Sequence, residues 1–221
     1  MGLIQRKIIK TSATITKRLD FLFLKRKDFC IVSNNCWGPR LYEILKREYN
    51  TPFVGLFLTP EHYIDFIRNI EFYINIELTE HHFLTFDPIN KNPLRFSKKY
   101  PIACIEGCDI HFLHYNDKAE AISKWNRRRV RLIDYIRRNG VNSLIFKFCD
   151  SYPNMDVDYS MSEFKSLPYA RKIFFETKKE RGILSNDGVL VHGVDLFRAR
   201  LLYYKRYLAL FSNLPSQKKH R

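Results

Sequence analysis

Long hydrophobic stretches are missing from this sequence. Nowhere in its 221 residues does an apolar run approach the roughly 18 residues that a membrane-spanning helix needs. The first residues carry no apolar segment ending in a small-residue cleavage site, so no secretory signal is expected. Arg6 stands where a myristoylation signal after Gly2 requires Ser or Thr. Acidic residues are in deficit: 23 Asp and Glu against 38 Lys and Arg leave a formal net charge of +15. The five cysteines are an odd number and cannot all pair internally. Those in Phe29-Cys30-Ile31 and Lys147-Phe148-Cys149 read as buried strand positions. Reduced thiols in a cytoplasmic protein are therefore expected, with any membrane association peripheral to the inner face. Internal repeats and low-complexity tracts are absent. So are the P-loop, G-x-G-x-x-G and G-x-S-x-G patterns. Metal-ligand spacing is poor as well. Cys104-x-x-x-Cys108 lacks a second pair, and His81-His82, like His111 with His114, would point opposite ways on a strand. No metal site is expected and no cofactor is assigned.

What is present describes a folded chain. Hydrophobic residues make up 45% and charged residues 28%, with 18 Phe and 13 Tyr, enough to bury a core without disulfides. The positive charge calls for an anionic partner: a phosphate-bearing substrate, an anionic membrane surface or nucleic acid. The cations spread along the whole chain without one basic stripe, and no RNA- or DNA-binding motif is recognisable, which ranks nucleic acid last.

Residues 1–27 form a basic leader whose interleaved apolar residues allow an amphipathic helix, either a membrane-surface anchor or a solvated helix packed on the domain. Residues 28–211 read as a single α/β domain, and residues 212–221 as a basic tail. Within the domain, Phe29 to Ser33 is a strand. A helix follows with Pro39 at its start. Phe53 to Leu58 is a second strand, and Thr59-Pro60 opens a helix with the apolar face Tyr63, Ile64, Ile67, Ile70 and Ile74. His82 to Phe86, Ile102 to Ile105 and Asp109 to Tyr115 are strand-like, with a turn at Asn90 to Pro93. Asp117 and Glu120 resemble a capping box for a helix to Arg138, ended by Asn139-Gly140. Val141 to Cys149 is an apolar strand. Ser160-x-x-Glu163 marks a short helix and Lys172 to Thr177 a strand. Asn186-Asp187-Gly188 turns a hairpin, and Val194 to Phe211 forms a last helix. Strands alternating with helices give a three-layer α/β fold, a mainly parallel or mixed sheet flanked by helices.

In such sheets ligands bind beyond the carboxyl ends of the strands. The loop Ser33-Asn34-Asn35-Cys36-Trp37-Gly38 is one candidate. Asn34 and Asn35 offer amide donors and acceptors for a sugar or phosphate, Trp37 a stacking face, and Cys36 a thiol at a helix start. The competing reading is a self-satisfied turn with Trp37 in the core. In Asp109 to Tyr115, period-two geometry puts Asp109 and His111 on one face, where the carboxylate could orient the imidazole. His114 is placed nearer the strand's carboxyl end and is the preferred acid or base. A hydrogen-bonded core histidine is the alternative. On the long helix Lys124, Arg128 and Arg131 share one face. Together with Arg127 they either grip a phosphorylated donor or form a solvated surface. Asp150, just after a strand, could hold a metal or a hydroxyl group, or serve loop capping alone. Asp156-Val157-Asp158 has the form of a metal-binding D-x-D but is expected in a loop.

Several of these strings also carry a resemblance. Phe29-Cys30-Ile31-Val32-Ser33-Asn34-Asn35-Cys36-Trp37-Gly38 resembles the opening signature of the bacterial family known as domain of unknown function 1919. Tyr49-Asn50-Thr51-Pro52-Phe53-Val54-Gly55-Leu56-Phe57, His111-Phe112-Leu113-His114-Tyr115 and Glu120-Ala121 through Lys124-Trp125-Asn126-Arg127-Arg128 follow in order, so the likeness spans about residues 28–210. Pro39 departs from the second Gly expected after Cys36-Trp37-Gly38. The resemblance implies an α/β fold and a role in exopolysaccharide biosynthesis, some members being labelled acyl- or glycosyltransferases. It carries over no catalytic residues.

The resulting expectation is a transferase for cell-surface polysaccharide, with a sugar acceptor and a phosphorylated or acyl donor. Asn34, Asn35 and Trp37 would hold the acceptor, His114 would act as base, and Arg127 and Arg128 would hold the donor. The alternative is a non-catalytic partner of a membrane-associated polysaccharide assembly, held by the basic leader and tail.

Overall fold

The computed structural model describes residues 24–35, 40–83, 100–149, 157–178, 182–185, 190–191 and 214. Most of the expected leader and tail, the turn at Asn90 to Pro93, the Asn186-Asp187-Gly188 turn and the helix over Val194 to Phe211 lie outside the described residues.

The fold is a mixed α/β arrangement. Its sheet has the order β1-β4-β5-β6-β7, from β1 (Ile31–Ser33), β4 (Ile145–Cys149), β5 (Lys172–Lys178), β6 (Gly182–Ser185) and β7 (Leu190–Val191). β1, β4 and β5 are parallel, while β6 and β7 add antiparallel pairings at one side. All five residues of β4 are buried. That fits a central parallel strand covered on both faces and explains its near-continuous apolar sequence.

A separate antiparallel hairpin joins β2 (Ile102–Ile105) to β3 (Cys108–His111). Its two turn residues, Glu106 and Gly107, have φ of 47° and 79°, the pair of positive angles that matches the twist of a two-residue hairpin. An antiparallel bridge between Phe57 and His111 ties the hairpin to the 53–58 segment. The N–H of Leu58 donates to the carbonyl of Asn34 at 3.0 Å, which ties that segment to β1. The strand expected over Phe53 to Leu58 thus lies where a strand belongs but narrows to one bridge. Pro52 offers no N–H, and Gly55 turns the chain with φ of 69°, so a regular ladder cannot propagate through it.

The helices follow their start and stop signals closely. After α1 (Arg40–Leu45), α2 (Pro60–Arg68) begins with the Thr59 hydroxyl accepting from the His62 N–H. The single helix expected through Ile74 is broken at Asn69 (φ −123°, ψ 40°), giving α3 (Ile70–Asn75). α4 (Lys118–Asn139) is capped by the Asp117 carboxylate, which accepts from the Glu120 N–H at 2.7 Å, and Gly140 ends it with φ of 77°. α5 (Val157–Ser166) starts three residues before Ser160, so Ser160 lies inside the helix and is not its cap. Asp158 falls in its first turn rather than in a loop; Asp156 lies outside the described residues. The strand expected to reach Tyr115 stops at His111. Glu80–His82 is a short 3-10 turn, after which Phe83 bridges Ala103.

The main core gathers between the sheet and α2, α4 and α5. Trp125 is surrounded by Phe53, Phe66 and Phe112 at centroid separations of 6.0, 6.2 and 5.9 Å. Tyr63 stacks on Phe148 at 5.9 Å, and Phe148 stacks on Phe164 at 5.1 Å. A further buried group, including Phe29, Ile31, Leu41, Tyr42, Leu45 and Ile145, lies outside that cluster. Its strand members alternate with Val32 and Phe146 and so line the sheet's other face.

Candidate functional site

Because β1 and β4 are parallel with Ser33 beside Lys147, their carboxyl ends emerge at the same edge. There the chain builds a buried polar cluster. Asn34 is wholly buried. Its amide donates to the Cys149 carbonyl at 2.7 Å and accepts from the Cys149 N–H at 3.0 Å, so the side chain adds a rung to the ladder. Asn34 is spent on holding the edge together. Asn35 is half-buried, and its side-chain oxygen accepts from the ammonium of Lys147 at 2.7 Å. The Ser33 hydroxyl donates to the Asn35 carbonyl at 3.0 Å, fixing the turn that presents that oxygen. Cys36, Trp37 and Asp150 lie outside the described residues.

Lys147 is the residue that reading the sequence for motifs passed over. It is 0% exposed. Burial of an ammonium is costly enough that lysine is rarely enclosed without a paired role. The signal was present as one cation inside the apolar run Leu144 to Cys149, at a position where a central parallel strand is otherwise Val, Ile, Leu or Phe.

The expected histidine base sits elsewhere. Asn50 donates to the Phe29 carbonyl at 2.9 Å and Leu58 to that of Asn34, so residues 50–58 run beside β1 in the same direction. β3 runs against them, with Phe57 and His111 exchanging N–H···O bonds of 2.8 and 2.9 Å. Residues after His111 therefore head back toward the amino edge of the sheet. His114 is exposed there, its N–H on the Gly55 carbonyl at 3.0 Å. His114 follows the carboxyl end of β3, whose direction is opposite to that of β1 and β4.

Asp109 and His111 do not form the oriented pair expected of them. His111 is buried, with Nδ1 3.2 Å from the Tyr100 hydroxyl and its ring 5.4 Å from that of Phe57. Asp109 stands opposite Cys104 in the hairpin, and its N–H donates to Nδ1 of His62 at 3.2 Å. Burial first, and then the hydrogen bond the thiol donates to the Asp109 carboxylate, push Cys104 up. Burial drives Cys30 and Cys108 far above the ordinary thiol range, which leaves both as inert packing groups. Among the described residues no cluster of three or more His, Cys, Asp or Glu is placed to hold a metal.

The cations of α4 do share one side, but that side is laid on protein. Lys124 pairs with Glu120 and stands 5.6 Å above the Tyr115 ring. Arg128 is buried, donates to the Tyr115 hydroxyl at 2.8 Å and lies 4.9 Å above the Tyr49 ring. Arg131 pairs with Glu48 and donates to the Tyr49 carbonyl at 3.1 Å. Arg127 is exposed. The contacts described for these cations do not involve Asn34 or Asn35.

Comparison with known proteins adds two findings. An uncharacterized protein of Haemophilus influenzae is 27% identical over 176 residues, covering 76% of this chain and 75% of that protein. Among the described residues no helix is long and apolar enough to cross a membrane. The family model for the Domain of unknown function (DUF1919) matches residues 5–191, a span that begins inside the basic N-terminal segment and contains β1, β4 and the polar cluster between them. The ordered strings beginning at Phe29-Cys30-Ile31 thus reflect common descent, and the chain belongs to the DUF1919 family.

Proposed function

We propose that the chain is a transferase of cell-surface polysaccharide synthesis, joining a sugar acceptor to a group carried on a phosphorylated or acyl donor. The reaction centre is the carboxyl edge of β1 and β4. The observation that carries this reading is the enclosed Lys147 ammonium in the middle of β4, beside the last residue of β1 and held by Asn35. A fixed cation in a site shielded from water stabilises the negative charge that develops on a departing phosphate or on an acyl oxygen. Lys147 is assigned that role. Asn35 is its positioning residue, Asn34 closes the edge, and Asp150, next in sequence after Cys149, receives the acceptor hydroxyl. A buried cation kept at a sheet's carboxyl edge has little value to a purely structural partner, which favours an enzyme over an assembly factor.

The test is equilibrium binding of nucleotide sugars and acyl-coenzyme A to the full chain, read by thermal shift and calorimetry. Saturable binding of one donor class that disappears in a folded Lys147→Met variant is the expected result. A blank panel, or donor binding unchanged by that substitution, would overturn it. Vesicle binding without any donor binding would move the assignment to the membrane-associated partner.

A further inference from the structure

The amino edge of the sheet, opposite the polar cluster, holds a cleft of about 520 Å³. It opens between the end of α1, the 46–50 loop and the last turns of α4. Lys25, Lys46, Arg47, Arg131 and Arg138 line it together with Asp28, Glu48 and Asp134, so cations exceed carboxylates by two. All three carboxylates are already engaged. Asp28 is buried and faces Arg47 at 3.8 Å and Arg138 at 3.5 Å, and it accepts from Asn139 at 3.1 Å. Glu48 pairs with Arg131. Asp134 pairs at 3.2 Å with Arg137, a cation outside the lining. A concave surface of one sign focuses its field on an incoming ion of the other.

Lys46 gives the cleft a second unusual feature. It is exposed and has φ of 51°, in the left-handed region that ends many helices and that glycine fills without strain. The cap itself is regular, with the Arg47 N–H on the Tyr42 carbonyl at 2.9 Å. Glycine would serve that backbone better than lysine, and the lysine here adds a cation to the cleft.

We propose that this cleft binds a phosphorylated ligand carrying at least two negative charges, of the diphosphate type, at a site distinct from the carboxyl edge. Arg131 and Arg138, held by Glu48 and Asp28, add to the positive field of the cleft, and the exposed Lys46 supplies the cation that meets a phosphate oxygen. The inference stands independently of the transferase reading. The diphosphate is either a free ligand or the headgroup of a lipid.

Calorimetry of the full chain with inorganic pyrophosphate tests it. Saturable one-site binding is expected, weakening as salt rises. Lys46→Gly should weaken it about three- to fivefold while leaving the melting temperature unchanged or higher. Lys46→Glu should weaken it about tenfold or more. Lys147→Met, at the other edge, should not alter it. Absence of saturable binding overturns the proposal. So does equal binding by wild type and Lys46→Gly, or a loss that follows Lys147→Met alone, which assigns the anion to the carboxyl edge. Vesicles of phosphatidylcholine with and without diacylglycerol pyrophosphate separate the sources. Capture by the acidic vesicles that pyrophosphate reverses identifies a lipid headgroup, and pyrophosphate binding without capture identifies a free ligand.

Discussion

Replacing Lys147 by methionine separates a functional cation from a structural strut, because the two roles predict opposite changes in stability. Methionine keeps an unbranched chain of similar length and packs without a charge. The substitution removes an ammonium that is 0% exposed and takes from Asn35 a donor at 2.7 Å. Asn35 is half-buried and keeps the Ser33 hydroxyl within 3.5 Å, so little is left unsatisfied on its side. Exchanging a buried charge and its partner contacts for apolar packing is commonly neutral or stabilising by about 1–4 kcal/mol. In a chain of 221 residues each kcal/mol is about 2–4 °C of melting temperature. The expected variant is therefore folded, melts at the wild-type temperature or several degrees above it, and no longer binds donor. Such a gain in stability with loss of function is the mark of a site held at a cost to the fold. A fall of about 3 kcal/mol or more, read by calorimetric melting, would refute the reasoning and make Lys147 the support of the Asn35 turn. Asn35→Ala is the complementary measurement: with one partner of the buried ammonium removed, stability should fall by about 1–3 kcal/mol.

Four further outcomes follow from the geometry. Gly55→Ala should destabilise the chain by about 1–3 kcal/mol, since the position has φ of 69° and an added Cβ would lie 3.1 Å from the Cβ of His114; a melting temperature equal to wild type contradicts this. Asp117→Ala should cost about 1 kcal/mol by removing the cap of α4. Glu120, the neighbouring carboxylate, accepts from the Asn116 N–H and from Lys124, which hold it below its ordinary value of 4.5. Its folded-state value is depressed, so its contribution is complete above that value and is lost as pH falls through the lowered one; the stability gap between wild type and Glu120→Gln should close on acidification and stay constant near neutrality. Arg128→Met should cost about 1–2 kcal/mol through the lost contacts to Tyr115 and Tyr49 yet leave donor binding at the carboxyl edge unchanged, a result that distinguishes packing from phosphate recognition.

The parts of the fold that could be read from the sequence are those governed by local rules. Thr59-Pro60, Asp117 with Glu120, and Gly140 act within one helical turn, and each marks a helix end where it was expected. The apolar run ending at Cys149 announced a buried strand on composition alone. What failed depended on how distant segments pair. His114 looked close to a ligand edge because a strand's end was equated with the sheet's carboxyl edge. That equation holds only for strands parallel to β1, and a two-residue turn at Glu106-Gly107 is enough to reverse it. Arg128 looked available for a ligand because helical spacing fixes which residues share a face but not what the face covers; here Tyr49, more than seventy positions away in sequence, covers it. Lys147 was passed over for the converse reason. Periodicity ranks residues by agreement with a pattern, and a functional residue in a core is the one that disagrees with it. A cation that no local rule asks for, in the strand whose surroundings penalise it most, is accordingly the more specific pointer to chemistry than any exposed histidine or arginine in this chain.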